Sequence, residues 1–168
     1  MFGAVPASWI QLIRISEASG EIFPMRRYHK PGAKPQNHEI LVFGSNTAGR
    51  HGKGAAFLAA LKYGAIEGQP RGRMGQSYAI PTRYMQPNRW IVSLELEKVT
   101  TEVEEFVQYT RDNPSLNFFV MGVGVGNAGF TAEQIAPLFR SAVNCSFPED
   151  WQPFLKKADQ KIVDAYPL

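Results

Sequence analysis

Two glycine-rich segments carry most of the chemistry this sequence could perform. The first runs Gly44-Ser45-Asn46-Thr47-Ala48-Gly49-Arg50-His51-Gly52-Lys53-Gly54-Ala55-Ala56, the second Gly122-Val123-Gly124-Val125-Gly126-Asn127-Ala128-Gly129-Phe130. Glycine lets the main chain take positive φ and lets a ligand approach with no Cβ in the way. Each segment follows an apolar run and leads into a helix-forming stretch. Each would therefore offer the free N–H groups and positive dipole end of a helix start, a ready site for a phosphate. Successive loop amides can also cradle an anion. The first segment is not a Walker loop, because Lys53 is followed by Gly54 and Ala55. Its glycine spacing also departs from the Gly-x-Gly-x-x-Gly dinucleotide fingerprint.

Within these segments the candidate ligand-binding residues are Gly44, Ser45, Asn46, Gly49, Arg50, His51, Gly52, Lys53 and Gly54, and then Gly124, Val125, Gly126, Asn127, Ala128, Gly129 and Phe130. Asn46 could hydrogen-bond a ribose hydroxyl or simply hold a turn. Lys53 stands where a helix dipole disfavours a cation, a conflict that an anion between the two would relieve. Phe130 could stack on a base or plug the core. His51, which titrates near neutrality, is a candidate for catalysis together with Lys53 and Lys62. No cofactor or metal is implied. Three scattered histidines and the single cysteine, Cys145, show no zinc spacing and allow no internal disulfide.

The elements that must position these loops follow from hydrophobic period. Residues 39–43 form an apolar run suited to a strand buried on both faces. Residues 54–63 read as a helix stopped by Gly64, with Phe57, Leu58 and Leu61 facing the sheet. Glycine and proline make 65–76 a mobile loop. Ser77–Pro81 and 90–96 are short strands, and 117–122 is another apolar one. Thr101-Glu102-Val103-Glu104 is a capping box opening a helix to about Asp112. Thr131-Ala132-Glu133-Gln134 is a second, for a helix through about Val143. Trp9–Ile15 could be an edge strand and 24–35 a loop. Trp151, Phe154, Leu155, Ala158, Ile162 and Ala165 recur at helical spacing, predicting a C-terminal amphipathic helix packed on the body, a dimer contact or a lid. The order is that of an α/β protein, a sheet sandwiched by helices, with ligands at the C-terminal strand ends.

These motifs resemble the macro domain, the ADP-ribose-binding module. His51-Gly52-Lys53-Gly54-Ala55-Ala56, Lys62-Tyr63-Gly64, Tyr78-Ala79-Ile80-Pro81-Thr82 and Gly122–Gly129 are similar to segments of the branch that holds ADP-ribosyl-glutamate hydrolases and ADP-ribose-phosphate phosphatases. The whole pattern over about 39–148 is nearest to short phage and prophage macro-like proteins. The resemblance implies a three-layer fold with a mixed sheet. It divides the chain into an extension (1–37), a nucleotide-binding domain (38–148) and a C-terminal helix (149–168). It also implies that the first loop touches the distal ribose, that the second wraps the diphosphate, and that an acid at an early strand end contacts adenine. No acid follows Leu41-Val42-Phe43. The hydrolase branch pairs a lysine with an aspartate; Lys62 lies near the lysine position, but Asn127 stands near the aspartate position, and an amide is neither general base nor nucleophile. The implied function is binding of an ADP-ribose-type nucleotide, as in a phage protein that sequesters a host defence signal in the host cytoplasm.

Composition bounds the alternatives. The chain has 168 residues, 44% hydrophobic and 20% charged, the balance of one globular domain. No apolar run reaches the roughly 20 residues of a membrane span, and no secretory signal is visible. A hydrolase of an ADP-ribosyl bond or a related phosphate ester is the rival reading. A nucleic-acid-binding module ranks last, because the net charge is only +3 and no interleaved aromatic platform accompanies the basic residues.

Overall fold

In a computed structural model the described residues are 13–15, 22–24, 26–88 and 90–165, with side chains described over 26–88 and 90–159. Nine strands and four α-helices are described: β1 (Ile13–Ile15), β2 (Ile22–Pro24), β3 (Arg27–His29), β4 (Glu39–Asn46), α1 (Gly54–Lys62), β5 (Gly72–Met74), β6 (Ser77–Met85), β7 (Ile91–Ser93), α2 (Leu96–Asp112), β8 (Asn117–Val120), α3 (Ala132–Ile135), β9 (Cys145–Pro148) and α4 (Gln152–Ala165). β1 and β2 form a separate antiparallel pair. The main sheet runs β3-β9-β8-β4-β6-β5, with β7 on the C-terminal end of β6. Its first five strands are parallel, while β5 and β7 pair antiparallel with β6, so the sheet is mixed.

β4 lies at the centre of this sheet, and its alternation explains the three layers. Ile40 and Val42 point to one face, with Tyr78, Ile80, Phe118, Val120 and Phe147, under α2, α3 and Trp151. Leu41 and Phe43 point to the other, with Ala79 and Phe119, under α1. Both faces are covered, which is why 40–43 is a continuous apolar run.

Several expectations need correction. The lead-in is not all outside the sheet: Arg27–His29 pairs parallel with β9. It is tied down further by Arg26, which bonds both carboxylate oxygens of Asp159 on α4 and the carbonyl of Arg140 (2.6 Å). The expected loop at 65–76 contains β5, closed into a hairpin with β6. The strand expected at 90–96 is only Ile91–Ser93. Thr101 caps nothing; α2 begins at Leu96, and the Thr101 hydroxyl donates to the carbonyl of Glu97 (3.3 Å) inside the helix. Thr131 does cap α3, and the reciprocal bonds with Gln134 are both present. That helix lasts four residues and continues as a 3₁₀ turn, Ala136–Phe139, because Pro137 cannot supply an N–H. The chain then makes β9, which no periodicity announced.

The face of α1 is inverted relative to expectation. Phe57 and Leu61 are 52% and 64% exposed, while Ala56 and Ala59 are buried against β4. Small residues let the helix sit close to the sheet. Cys145 is a buried hydrophobe, and burial pushes its thiol far up. Of the strand expected at 9–15, residues 9–12 lie outside the described residues. No helix among the described residues is long and apolar enough to cross a membrane.

Candidate functional site

β4 and β8 are adjacent and parallel, so the segments that leave their C-terminal ends emerge side by side. These are the two glycine loops. Between them lies an open cleft of about 710 Å³. Gly44, Ser45, Asn46, Arg50, Gly52, Lys53 and Gly54 line it from the first loop. Gly124, Gly126, Asn127 and Ala128 line it from the second. Gly52 and Gly126 thus share one cleft.

Several main-chain donors on its lining residues are unpaired by backbone. Among the described residues the N–H groups of Gly52 to Ala56 have no backbone acceptor, because the first turn of α1 closes only with Phe57 N–H on the carbonyl of Lys53 (3.2 Å). No acid occupies that turn, and Lys53 caps the helix without a side-chain bond. Across the cleft, Val125, Gly129 and Phe130 donate within the second loop, to Gly122, Gly126 and Gly124. Gly126, Asn127 and Ala128 have no backbone acceptor among the described residues. None of the residues lining the cleft is acidic, while Arg50, Lys53 and Arg83 bring positive charge. Arg50 is loosely paired with Glu67 (3.6 Å). The arrangement suits an anion with several oxygens.

Two glycines hold this geometry. Gly44 ends the straight part of β4, and a Cβ there would meet the Thr82 hydroxyl at 3.3 Å and the amide of Gly124 at 3.4 Å. The tight contact is with the Thr82 side chain, and the second loop packs just at van der Waals distance. Gly124 has φ +73°, and a Cβ on it would meet Ile135 at 3.3 Å and Phe130 at 3.4 Å. It needs both left-handed backbone and a small residue.

Other expected site residues have different places. Asn46 is buried and closes the first loop on itself. Its amide donates to the Arg50 carbonyl (2.8 Å) and accepts the Arg50 N–H (3.0 Å), leaving one donor and one acceptor position toward the cleft. Gly49 is packed on the backbone of Gly68 and Gln69. His51 is 2% exposed, with Nε2 against the carbonyls of Ile66 (3.0 Å) and Gln69 (3.2 Å). It pins the chain after α1 to the first loop and is not in the cleft wall. Lys62 is at the far end of α1 from the cleft. Phe130 packs on the core, and Gly129 does not line the cleft. Val125 faces a second cavity.

That second cavity, about 240 Å³, adjoins the cleft and shares Met121 and Gly122 with it. His29 and Phe119 stack there with ring centroids 3.8 Å apart. Burial, the largest cause, holds the His29 imidazole below its usual range, against the pull of Glu39, and Nδ1 meets the Ser146 hydroxyl at 2.9 Å. Glu149 and Asp150 line the same slot from the end of β9. No local pattern marks this slot, whose walls come from three distant stretches of the chain. Thr82, Arg83, Trp90 and Ile91 were also missed as cleft residues. They lie on β6, on β7 and, for Trp90, in the connection between them, outside any glycine motif. Among the described residues no cluster of His, Cys, Asp and Glu could hold a metal ion.

No family model and no curated protein matches the chain in sequence. Its backbone is nevertheless similar to solved structures. The macrodomain of Mycobacterium tuberculosis DarG superposes with a TM-score of 0.53 at 19% identity, over 74% of this chain and 97% of that one. The structure described as alphavirus P23pro-zbd gives 0.51 at 12% identity, over 86% of this chain and 24% of that one. The similarity is in the path of the sheet and its helices, and on it the chain has a macrodomain-like α/β fold.

Proposed function

We propose that this protein binds an ADP-ribose-type nucleotide and withholds it from other proteins. The reading rests on one observation: free amides of two helix-leading glycine loops, on adjacent parallel strands, face a single cleft without acids. The diphosphate lies against Gly52–Ala56 and Gly126–Ala128. The adenine enters the His29–Phe119 slot, where Glu149 or Asp150 can accept from its amino group. The distal ribose reaches the free positions of Asn46. Strands lie about 4.8 Å apart, so the four steps from β3 to β6 offer roughly 19 Å of strand ends for an extended nucleotide.

Retention is favoured over turnover by what the candidate catalytic groups do. His51 is committed to two carbonyls, Lys62 is remote, and Lys53 has no carboxylate beside it in the cleft. Isothermal titration with ADP-ribose, followed by mass spectrometry of the recovered ligand, tests this. A saturable complex returning intact ligand is expected. Failure to bind would refute the site, and release of AMP or ribose phosphate would replace a binder with a hydrolase.

A further inference from the structure

The cleft does not stop at the glycine loops. Its far wall is the β6–β7 hairpin, which contributes Arg83, Trp90 and Ile91. This hairpin is bonded to both loops. Thr47 N–H donates to the Arg83 carbonyl (2.9 Å) and Met85 N–H to the Thr47 hydroxyl (3.3 Å) on the first-loop side. The Ser93 hydroxyl donates to the Ala128 carbonyl on the second. The wall is therefore held in register with the amides that face it.

Two features of the wall have no internal explanation. The Arg83 guanidinium donates through Nη2 to the Ile91 carbonyl (3.0 Å), while its Nη1 has no hydrogen bond among the described residues and is not shielded from solvent. An oxygen arriving in the cleft can therefore be met by donors that the protein leaves unused. On the same wall the Trp90 indole is 72% exposed. A lone exposed tryptophan is ordinary, but here it stands in one cleft with a guanidinium that keeps unused donors. An aromatic face beside a fixed donor is the pairing that recognises a planar ring with an oxygen at its edge.

We propose that the β6–β7 hairpin is a subsite for a second planar ring, joined to the ligand beyond the diphosphate, with Trp90 stacking on it and the Arg83 guanidinium donating to its exocyclic oxygen. This rests on the reading of the cleft as a nucleotide site. The preferred ligand is then a dinucleotide, not a nucleotide ending in a bare ribose. The ring is neutral, because Arg50, Lys53 and Arg83 surround it and no lining residue is acidic. A cationic ring would meet like charge on entry.

NADH, ADP-ribose and NAD⁺ separate the possibilities. NADH carries a neutral ring with a carboxamide oxygen, NAD⁺ the same ring with a positive charge, and ADP-ribose no ring. Titrations followed by NADH fluorescence and by calorimetry should show NADH binding roughly tenfold tighter than ADP-ribose, within the range that base–aromatic stacking provides. NAD⁺ should fall well below NADH. Trp90→Ala and Arg83→Gln should each bring the NADH to ADP-ribose affinity ratio down toward one. Trp90→Ala removes an exposed side chain, so folding does not confound it. Equal affinities in the parent protein, or a ratio that survives both substitutions, overturn the subsite while leaving the ADP-ribose reading intact. Failure of ADP-ribose and NADH alike removes both.

Discussion

Gly52 and Gly126 allow the binding cleft to be blocked without disturbing the fold. A Cβ built on either meets nothing within 4 Å, and neither residue has a positive φ. The Cβ of a valine at either position therefore meets no protein atom, and both positions line the cleft, so the added bulk falls at its wall. Stability should change by no more than about 0.5 kcal/mol, as for other substitutions that touch no packed neighbour. The reduced freedom of the unfolded chain adds a small gain. Binding should suffer far more. Each substitution screens free amides, and losing two hydrogen bonds to a charged phosphate, at about 1.5–3 kcal/mol each, amounts to roughly 3–6 kcal/mol. Even the lower figure exceeds a hundredfold in affinity. The assay is calorimetric titration of Gly52→Val and Gly126→Val with ADP-ribose, beside thermal melts of the same samples. Variants that melt with the parent and bind ADP-ribose within about threefold of it would refute the amide site.

The other predictions concern the scaffold. Gly49→Ala should lower the urea midpoint sharply: its Cβ would fall 2.5 Å from the Gly68 carbonyl carbon at φ +67°, for a loss of about 2–5 kcal/mol. The orientation of α1 predicts opposite outcomes for two neighbours: Leu61→Lys should leave the melting temperature nearly unchanged, while Ala59→Leu should cost about 1–3 kcal/mol by overpacking. His29 makes folding pH-dependent. Its folded pKa lies below the ordinary 6.5, so the unfolded chain binds the extra proton, and its contribution is full above pH 6.5 and lost as pH falls toward the folded value. Denaturant midpoints at pH 7.5 and 5.5 should differ less in His29→Gln than in the parent, and an equal difference would refute this.

What the sequence disclosed was what it encodes locally. Residues 39–43 read as a two-sided strand because both faces of β4 are covered, and the glycine loops were visible because close approach at Gly44 and left-handed backbone at Gly124 demand glycine. The Thr131 box was real because a turn precedes it. The Thr101 box was not, since Thr-x-x-Glu also occurs inside a helix that starts earlier. Phe57 and Leu61 misled for a different reason. Helix period reports an apolar stripe, but a close helix–sheet contact selects small residues, and Ala56 and Ala59 won that place. Short strands such as Arg27-Tyr28-His29 carry too few residues to show a period. The His29–Phe119 slot was invisible because its partners meet only across the sheet, and the Arg83–Trp90 wall because its hairpin carries no glycine loop or helix start.

The edge position of β3, together with the tether from Arg26 to α4, has a practical corollary. Trimming the polypeptide to 38–148, the span in which the recognisable motifs lie, would keep every amide that grips phosphate. It would strip His29 from one flank of the aromatic slot and Glu149, Asp150 and Trp151 from the other, and leave β9 as a bare margin open to self-association. On the proposed reading such a fragment would keep the contacts to pyrophosphate and lose those to the adenine, so that grip and the choice of this base fall to separate stretches of the polypeptide.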